Sequence, residues 1–308
     1  MTLLKVSKAK TYLLVFHHES LALSKPKTPR KMKIRNILVP VDFSECSKNA
    51  LRIAIDLATH LGAKIHMVNA VHAHHPNAEF VGSGLIDSIV ADYEAQVKES
   101  FKELESEIVE LQNVPHEADR FLAYLTDAIY TVTKQKDIDL IVMGTREYHD
   151  AIEQAIGTRA TDIMGMSEVP VIVIPENVKT LNLNKIGLAI DLKGIRNFTR
   201  LKFIGELAKQ YGGELQIFTV VDSTTLLTSL DQKRIKEVTA VFEGIEVSAR
   251  SVEGDSIVKG ITDFAKAHSL DMIALIPREH SFFNKLFRTS VSKNVALNSE
   301  VAILSFHE

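Results

Sequence analysis

The chain is an internal duplication, because one order of strand, loop and helix occurs twice. In the first half, residues 34–41 are followed by Asp42 and then by a helical pattern. In the second half, residues 185–190 are followed by Asp191 and again by a helical pattern. Later segments match as well, namely 138–143 with 270–275 and 167–169 with 299–301. The repeat therefore predicts two tandem copies of one domain, of which the second is shorter in its middle.

Within each copy, short apolar runs alternate with amphipathic helical patterns. The run 37–41 is nearly all apolar, as expected for a strand covered on both faces, and the helical spacing that follows it stops at Gly62. Strands separated by helices indicate parallel pairing, so each copy is predicted to be an α/β domain with a doubly wound, open, five-stranded parallel sheet and helices on both faces. In the first copy the predicted strands are 34–41, 65–71, a segment near Ala118, 140–143 and 171–174, and the predicted helices are 47–61, 90–111, 125–133 and 158–164.

Composition limits the class of partner and the location. A net charge of −3 with 24% charged residues gives no electrostatic footprint for nucleic acid, and the apolar run 12–16 is too short to span a membrane. With a single cysteine the chain has no internal disulfide, and we expect a cytoplasmic protein. Residues 1–33 are rich in Lys and Pro and contain Met32. We expect them to be a loose arm or to precede the native start, followed by domains at 34–178 and 183–308.

Two strand ends of the first copy carry polar groups that suit ligand binding. Asp42 and Ser44 follow the first strand, where they either cap the next helix or contact a ligand. After the fourth strand, Gly144 begins a polar stretch that ends in Gly157-Thr158-Arg159. Glycine permits close backbone approach, and a helix start attracts anions, so this segment predicts a phosphate site or, alternatively, an ordinary tight turn.

The residues that carry these features resemble the universal stress protein family over both halves. The segment 40–45 is similar to the family's opening strand and loop, and residues 142–174 are similar to its closing segment. The resemblance implies a Rossmann-like fold of the adenine nucleotide alpha hydrolase type. It also implies an adenine nucleotide, ATP or AMP, with Mg²⁺ when the ligand is ATP. The nucleotide-binding residues that it implies are Pro40, Val41, Asp42, Ala70, Gly144, Gly157, Thr158 and Arg159.

Both copies depart from the family's nucleotide motif. Nucleotide-binding members of that family carry a glycine, two residues, a second glycine, nine residues and then Gly-Ser or Gly-Thr. Gly144 and Gly157-Thr158 match this spacing, but Glu147 stands in place of the second glycine, which puts a carboxylate beside a polyphosphate. In the second copy, Ile276 replaces Gly144, and Thr289 and Ser290 replace Gly157 and Thr158, so no ordinary nucleotide site is expected there. The aromatic segment 280–288 of that copy is interpreted as a packed lid or an interaction surface.

Three functions follow from this sequence. The first is a stress-response sensor or regulator whose first domain binds an adenine nucleotide, and the second is a nucleotide-free interaction scaffold. The third is a slow ATP hydrolase, although no catalytic base is identifiable. The resemblance also implies a pseudo-dimer of the two domains, in which the last strands 171–174 and 301–306 meet, and a homodimer of the whole chain is plausible. His66, His72, His74 and His75 are interpreted as solvated residues on or just after the second strand rather than as metal ligands. Cys46 is interpreted as a small residue facing the sheet rather than as a reactive thiol at the start of a helix.

Overall fold

A computed structural model gives the architecture of the chain as two compact units, Met1–Val142 and Met143–Glu308. Each unit contains a mainly parallel sheet with helices, so the predicted α/β class is confirmed. The structure describes residues 2–5, 11–15, 33–72, 83–145, 158–190, 201–221, 229–254, 256–276 and 301–305.

The sheet of the first unit has the strand order β1-β2-β5-β4-β3-β6. Strands β3 to β6 are parallel, and the chain proceeds from β3 through β4 to β5 before crossing back to β6 on the other side of β3. The carboxyl end of β3 therefore lies at the point where the strand order reverses, which is where doubly wound sheets bind ligands. The strands are β1 (Thr2–Lys5), β2 (Thr11–Val15), β3 (Asn36–Pro40), β4 (Lys64–Val71), β5 (His116–Leu122) and β6 (Leu140–Thr145), whose last residues belong to the second unit.

Helix α1 (Glu45–Leu61) shows how the sequence sets the element boundaries. Ser44 caps its first turn by accepting a hydrogen bond from the Ser47 amide, and Gly62 ends it in the left-handed conformation with φ of 64°. The predicted stop at Gly62 is thus confirmed. The other helices of the first unit are α2 (Ser83–Glu107), a 3-10 helix (Val109–Asn113) and α3 (Leu125–Gln135).

Several predicted boundaries differ from the structure, and helix α2 begins at Ser83 rather than at Val90. Helix α2 ends at Glu107 rather than at Leu111, and the chain continues as the 3-10 helix. The apolar spacing suggested a longer helix because Ile108 and Leu111 both remain fully buried through this change of geometry. Strand β6 extends to Thr145, so Gly144 lies within the strand rather than in the loop after it.

Two stretches of the N-terminal segment form strands. Strands β1 and β2 pair in antiparallel fashion, and β2 continues the sheet by pairing in parallel with β5, from Thr11 opposite Arg120 to Leu13 opposite Leu122. The start of the native chain stays a prediction.

The sheet of the second unit has the order β7-β12-β11-β8-β9-β10. Strands β8 to β12 form the predicted five-stranded parallel sheet, and their order repeats the order of the first unit. The last strand of the first copy, β7, pairs antiparallel with β12, with Val173 opposite Ile303. The elements are α4 (Thr158–Met166), β7 (Val171–Pro175), β8 (Lys185–Ala189), α5 (Leu201–Tyr211), β9 (Glu214–Val221), α6 (Ser229–Thr239), β10 (Val247–Glu253), α7 (Ile257–His268), β11 (Met272–Leu275) and β12 (Ala302–Ser305).

No helix among the residues given above combines the length and the apolar composition needed to cross a lipid bilayer.

Candidate functional site

The first part of the candidate site lies at the carboxyl ends of β3 and β4. Pro40 is opposite Val68 on β4, and the Val41 amide donates to the Val68 carbonyl at 2.9 Å. Asp42 then leaves the sheet and is exposed, while Ala70 lies two residues beyond Val68 and is half-buried. The structure thus brings Pro40, Val41, Asp42 and Ala70 to neighbouring strand ends.

Asp42 and Ser44 are joined by side-chain hydrogen bonds. The Asp42 Oδ1 atom accepts from the Ser44 amide at 3.1 Å and from the Ser44 hydroxyl at 2.5 Å. Ser44 Oγ in turn accepts from the Ser47 amide at 3.3 Å, which caps α1. Ser44 therefore has the capping role considered from the sequence. Asp42 orients the Ser44 side chain and remains exposed at the carboxyl end of β3.

The loop that carries Asp42 has an unusual backbone conformation. Phe43 has a φ of 64°, in the left-handed region that bulky side chains rarely adopt. Its ring contacts Phe101 of α2 edge to face, with ring centroids 5.1 Å apart. The direction in which Asp42 leaves β3 is therefore set by a strained residue and an aromatic contact.

A buried polar pair behind the loop was not predicted from the sequence. Asn69 donates from Nδ2 to the Val41 carbonyl at 2.8 Å, and its Oδ1 accepts from the Tyr93 hydroxyl at 2.8 Å. Only 3% of Asn69 and 8% of Tyr93 are exposed, and burial raises the pKa of Tyr93 far above its usual value. Tyr93 therefore stays a hydrogen-bond donor. The available signal was a polar asparagine in the otherwise apolar end of β4.

The second part of the candidate site is at the end of β6 and the start of α4. Gly144 is half-buried within β6, and Arg159 is exposed in the first turn of α4, where the helix dipole and its own charge both favour an anion. Thr158 begins α4, and Gly157 lies outside the described residues. Thr145 was not predicted as a site residue. Its Oγ1 atom is buried without a hydrogen-bond partner among the described residues.

The second copy carries an apolar residue, Ile276, at the position that corresponds to Gly144. Ile276 lies directly after β11 and is buried with 7% exposure, as expected for a large apolar side chain. Asp191, Thr289, Ser290 and the aromatic segment 280–288 lie outside the described residues. The prediction of a lapsed second site therefore stays a prediction, and Ile276 is consistent with it.

A cluster of charged side chains, most of them half-buried, lies near the amino ends of β4 and β5. Lys136, at the end of α3, contacts both Glu117 and Asp119, and Lys64 contacts Glu117 at 2.6 Å. Burial opposes ionisation of Glu117, but hydrogen bonds from the two lysines outweigh it and hold the pKa of its carboxyl far below the usual range. The two lysines balance the two carboxylates, and although Asp119 Oδ1 is buried without a hydrogen-bond partner among the described residues, the pairing indicates a structural role at the end of the sheet opposite the candidate site.

His66 belongs to the same cluster and is buried within β4, so the predicted solvated position is wrong for this residue. Its Nδ1 lies 2.9 Å from Glu117 and its Nε2 lies 2.9 Å from the Asn36 side-chain oxygen, and burial lowers its pKa although Glu117 opposes this. His72 stacks on Tyr124 with ring centroids 3.8 Å apart. His74 and His75 lie outside the described residues. Within the ranges that the structure describes, no group of three or more histidine, cysteine or carboxylate side chains is arranged to hold a metal ion.

Comparison with known proteins places these features in a family. The universal stress protein family profile matches residues 33–175 and 182–307. Among curated proteins, none matches this chain.

Solved structures show the same fold. A universal stress protein from Archaeoglobus fulgidus DSM 4304 is similar with a TM-score of 0.66 and 19% identity, covering 90% of this chain and 97% of that chain. A protein of unknown function from Pseudomonas aeruginosa PAO1 is similar with a TM-score of 0.58 and 13% identity, covering 90% of this chain and 93% of that one. A putative universal stress protein from Pseudomonas aeruginosa UCBPP-PA14 is similar with a TM-score of 0.55 and 13% identity, covering 90% of this chain and 94% of that one. The chain therefore belongs to the universal stress protein family, and it carries two family domains in tandem.

Proposed function

We propose that the first domain binds an adenine nucleotide, ATP or AMP, and that the protein is a cytoplasmic sensor or regulator rather than a catalyst. The observation that carries this proposal is the exposed Asp42 carboxylate, which a hydrogen-bonded loop holds at the reversal point of the strand order. Ala70 on the neighbouring strand would face the base or ribose together with Pro40, Val41 and Asp42.

The phosphates would be held by Gly144, Gly157, Thr158 and Arg159. Gly144 lies in the open end of a strand and Arg159 lies in the first turn of a helix, and both are suited to an anion. The positions of Gly144 and Arg159 support the proposal of a phosphate contact here. Mg²⁺, when ATP is bound, would neutralise part of the phosphate charge.

The alternative is a nucleotide-free scaffold that acts through protein partners. Glu147 favours it, because a carboxylate in the phosphate loop repels a polyphosphate. Ile276 favours it for the second domain, because a buried branched side chain replaces the glycine there. A homodimer of the whole chain belongs to either hypothesis and is measured by light scattering of the eluting peak in size-exclusion chromatography.

The first experiment identifies the ligand released from the purified protein by mass spectrometry, followed by calorimetric titration with ATP and AMP. We expect one nucleotide per chain and weaker binding by roughly 10-fold or more for Asp42→Ala, because a charged hydrogen-bond acceptor is lost. The matched control is Asp191→Ala at the equivalent position of the second copy, which should leave the affinity unchanged. Equal loss in both variants, or no binding by the wild type at millimolar ATP, would contradict the proposal.

A second titration separates the two hypotheses. Binding by the wild type means that Glu147 is tolerated in the phosphate loop. Binding by Glu147→Gly alone means that the site has lapsed and that the scaffold hypothesis takes its place. ATP hydrolysis is measured in the same samples, and a slow turnover unchanged by Asp42→Ala would not belong to this site.

A further inference from the structure

Helix α2 is connected to the Asp42 loop at two separate points, indirectly through Asn69 of β4 and directly through Phe101. Through the first, the Val41 carbonyl, directly before Asp42, accepts from Asn69, which accepts from Tyr93 of α2. Through the second, Phe43, directly after Asp42, packs its ring against Phe101 of α2. The residues on both sides of the candidate ligand-binding carboxylate are therefore tied to one helix.

The two contact residues lie on the same buried face of α2. Val90, Tyr93, Val97, Phe101 and Leu104 are all buried, and their spacing of three or four residues places them along one side of the helix. A shift or rotation of α2 consequently moves Tyr93 and Phe101 together. The tie continues at the end of the helix, where Glu107 pairs with Lys48 at 2.5 Å and with Arg52 at 2.9 Å on α1.

These contacts hold a loop whose conformation ligand binding would alter. Phe43 is held in the left-handed region, which a phenylalanine leaves readily when nothing opposes it. Asp42 Oδ1 is engaged by Ser44, so a ligand donor would compete with Ser44 or reorient the carboxylate. Either event alters the loop whose two flanks α2 holds.

We infer that the position of α2 and the occupancy of the first-domain site are energetically linked through the Val41–Asn69–Tyr93 hydrogen bonds and the Phe43–Phe101 contact. This inference rests on the proposed nucleotide binding and assigns its regulation to α2. Linkage is reciprocal, so a ligand on the Asp42 loop stabilises α2, and a partner or modification that holds α2 changes the affinity for the ligand. The outer side of α2, which includes the exposed Lys98, Glu99, Lys102 and Glu103, is the surface at which the linkage is accessible.

The test uses Tyr93→Phe, which removes only the hydroxyl, and Phe101→Leu, which removes the ring but keeps an apolar side chain. The control is Tyr130→Phe on α3, since Tyr130 is 37% exposed and is not one of the residues that connect α2 to the Asp42 loop. ATP affinity is measured by calorimetry, and deuterium uptake of residues 41–47 and 90–107 is measured with and without ATP. We expect Tyr93→Phe to weaken ATP binding roughly 3- to 10-fold and to reduce the ATP-dependent protection of 90–107, because the hydroxyl that donates to Asn69 is lost, together with its longer contact of 3.2 Å to the Phe121 carbonyl.

The outcomes distinguish this inference from the proposed function. If Tyr93→Phe and Phe101→Leu lower the melting temperature but leave both ATP affinity and ATP-dependent protection of α2 unchanged, the contacts are structural only and the inference is overturned. If the wild type binds no ATP, the proposed function fails, and the linkage is judged without ligand. Faster deuterium uptake at 41–47 in both α2 variants than in Tyr130→Phe would then support the linkage, and equal uptake would overturn it.

Discussion

Single residues set the geometry at both ends of the first sheet. At the carboxyl end, Ser44 caps α1 and fixes Asp42, and at the amino end, Lys136 and Lys64 neutralise Glu117. These interactions differ in exposure. Asp42 is exposed and can meet a ligand, whereas Lys64, Lys136 and Glu117 are half-buried and contribute to stability.

Removal of the Ser44 hydroxyl tests the cap. We expect Ser44→Ala to lower the free energy of unfolding by about 1 kcal/mol, because one amide of the first turn of α1 loses its acceptor and Asp42 loses a donor. Urea denaturation measures this change. Ser106→Ala is the control, since Ser106 is an exposed serine near the end of α2 and its replacement should cost less than about 0.5 kcal/mol.

The cluster around His66 and Glu117 predicts a loss of stability in acid. Both groups have a pKa that folding lowers, so each contributes stability that is present above its unfolded pKa and is lost as the pH falls. The decline should begin below about pH 6.5 through His66 and steepen below about pH 4.3 through Glu117. A single proton gives a slope of at most about 1.4 kcal/mol per pH unit.

His66→Gln tests the histidine part of this decline. Gln216 occupies the equivalent position on β9, which shows that glutamine is compatible with this sheet. Denaturation between pH 5 and pH 8 should show a flatter profile for His66→Gln and an unchanged one for His60→Gln, whose histidine is exposed on α1. A wild-type profile that is already flat over this range would contradict the assignment to His66.

At the scale of elements, helix ends decide where the chain returns to the sheet. Gly62 after α1 and Gly212 after α5 are equivalent in the two copies and have φ values of 64° and 65°. Each allows the chain to turn directly into the next strand, β4 or β9. The duplication has therefore kept a backbone requirement while the ligand motif diverged.

Two glycines with different backbones should respond to alanine in opposite directions. Gly62→Ala should destabilise the protein by about 1 kcal/mol, because an alanine is strained at a φ of 64°. Gly165→Ala in α4 should stabilise it by up to about 1 kcal/mol, because the added Cβ meets no atom within 4 Å and alanine favours the helix. Chemical denaturation of both variants gives the comparison, and a loss of stability in both would show that the strain at Gly62 is not the cause.

The sequence allowed prediction of features with local signals. Apolar runs located the strands, Gly62 marked a helix end, and Asp42 stood out as a polar residue after a buried strand. The pairing of Glu117 with Lys136 and the contact of Asn69 with Tyr93 were not predicted, because those partners are distant along the chain and meet only through tertiary packing. The end of α2 was misplaced because a 3-10 turn preserves the same buried residues.

At the scale of the whole molecule, the antiparallel pairing of β7 with β12 joins the last strands of the two copies. The pair consists of completely or almost completely buried residues, including Val173 at 0% and Ile303 at 1% exposure. It covers two strands that would otherwise be open edges prone to unwanted pairing.

Truncation of a side chain in this pair should have a large effect. We expect Ile303→Ala to cost about 2–4 kcal/mol, because it removes buried methyl groups and leaves a cavity beside Val173. Val109→Ala, at a position that is 58% exposed, should change stability by less than about 0.5 kcal/mol. Thermal denaturation followed by circular dichroism measures both, and equal melting temperatures would show that the pairing contributes little.

The pairing of β7 with β12 does not depend on the amount of protein in the cell. Between separate polypeptides, such a seam would form only above a threshold concentration and would come apart on dilution. Here β7 and β12 belong to one polypeptide, so each partner experiences a high local concentration of the other that is independent of expression level. The seam therefore persists when only a few copies of the chain are present.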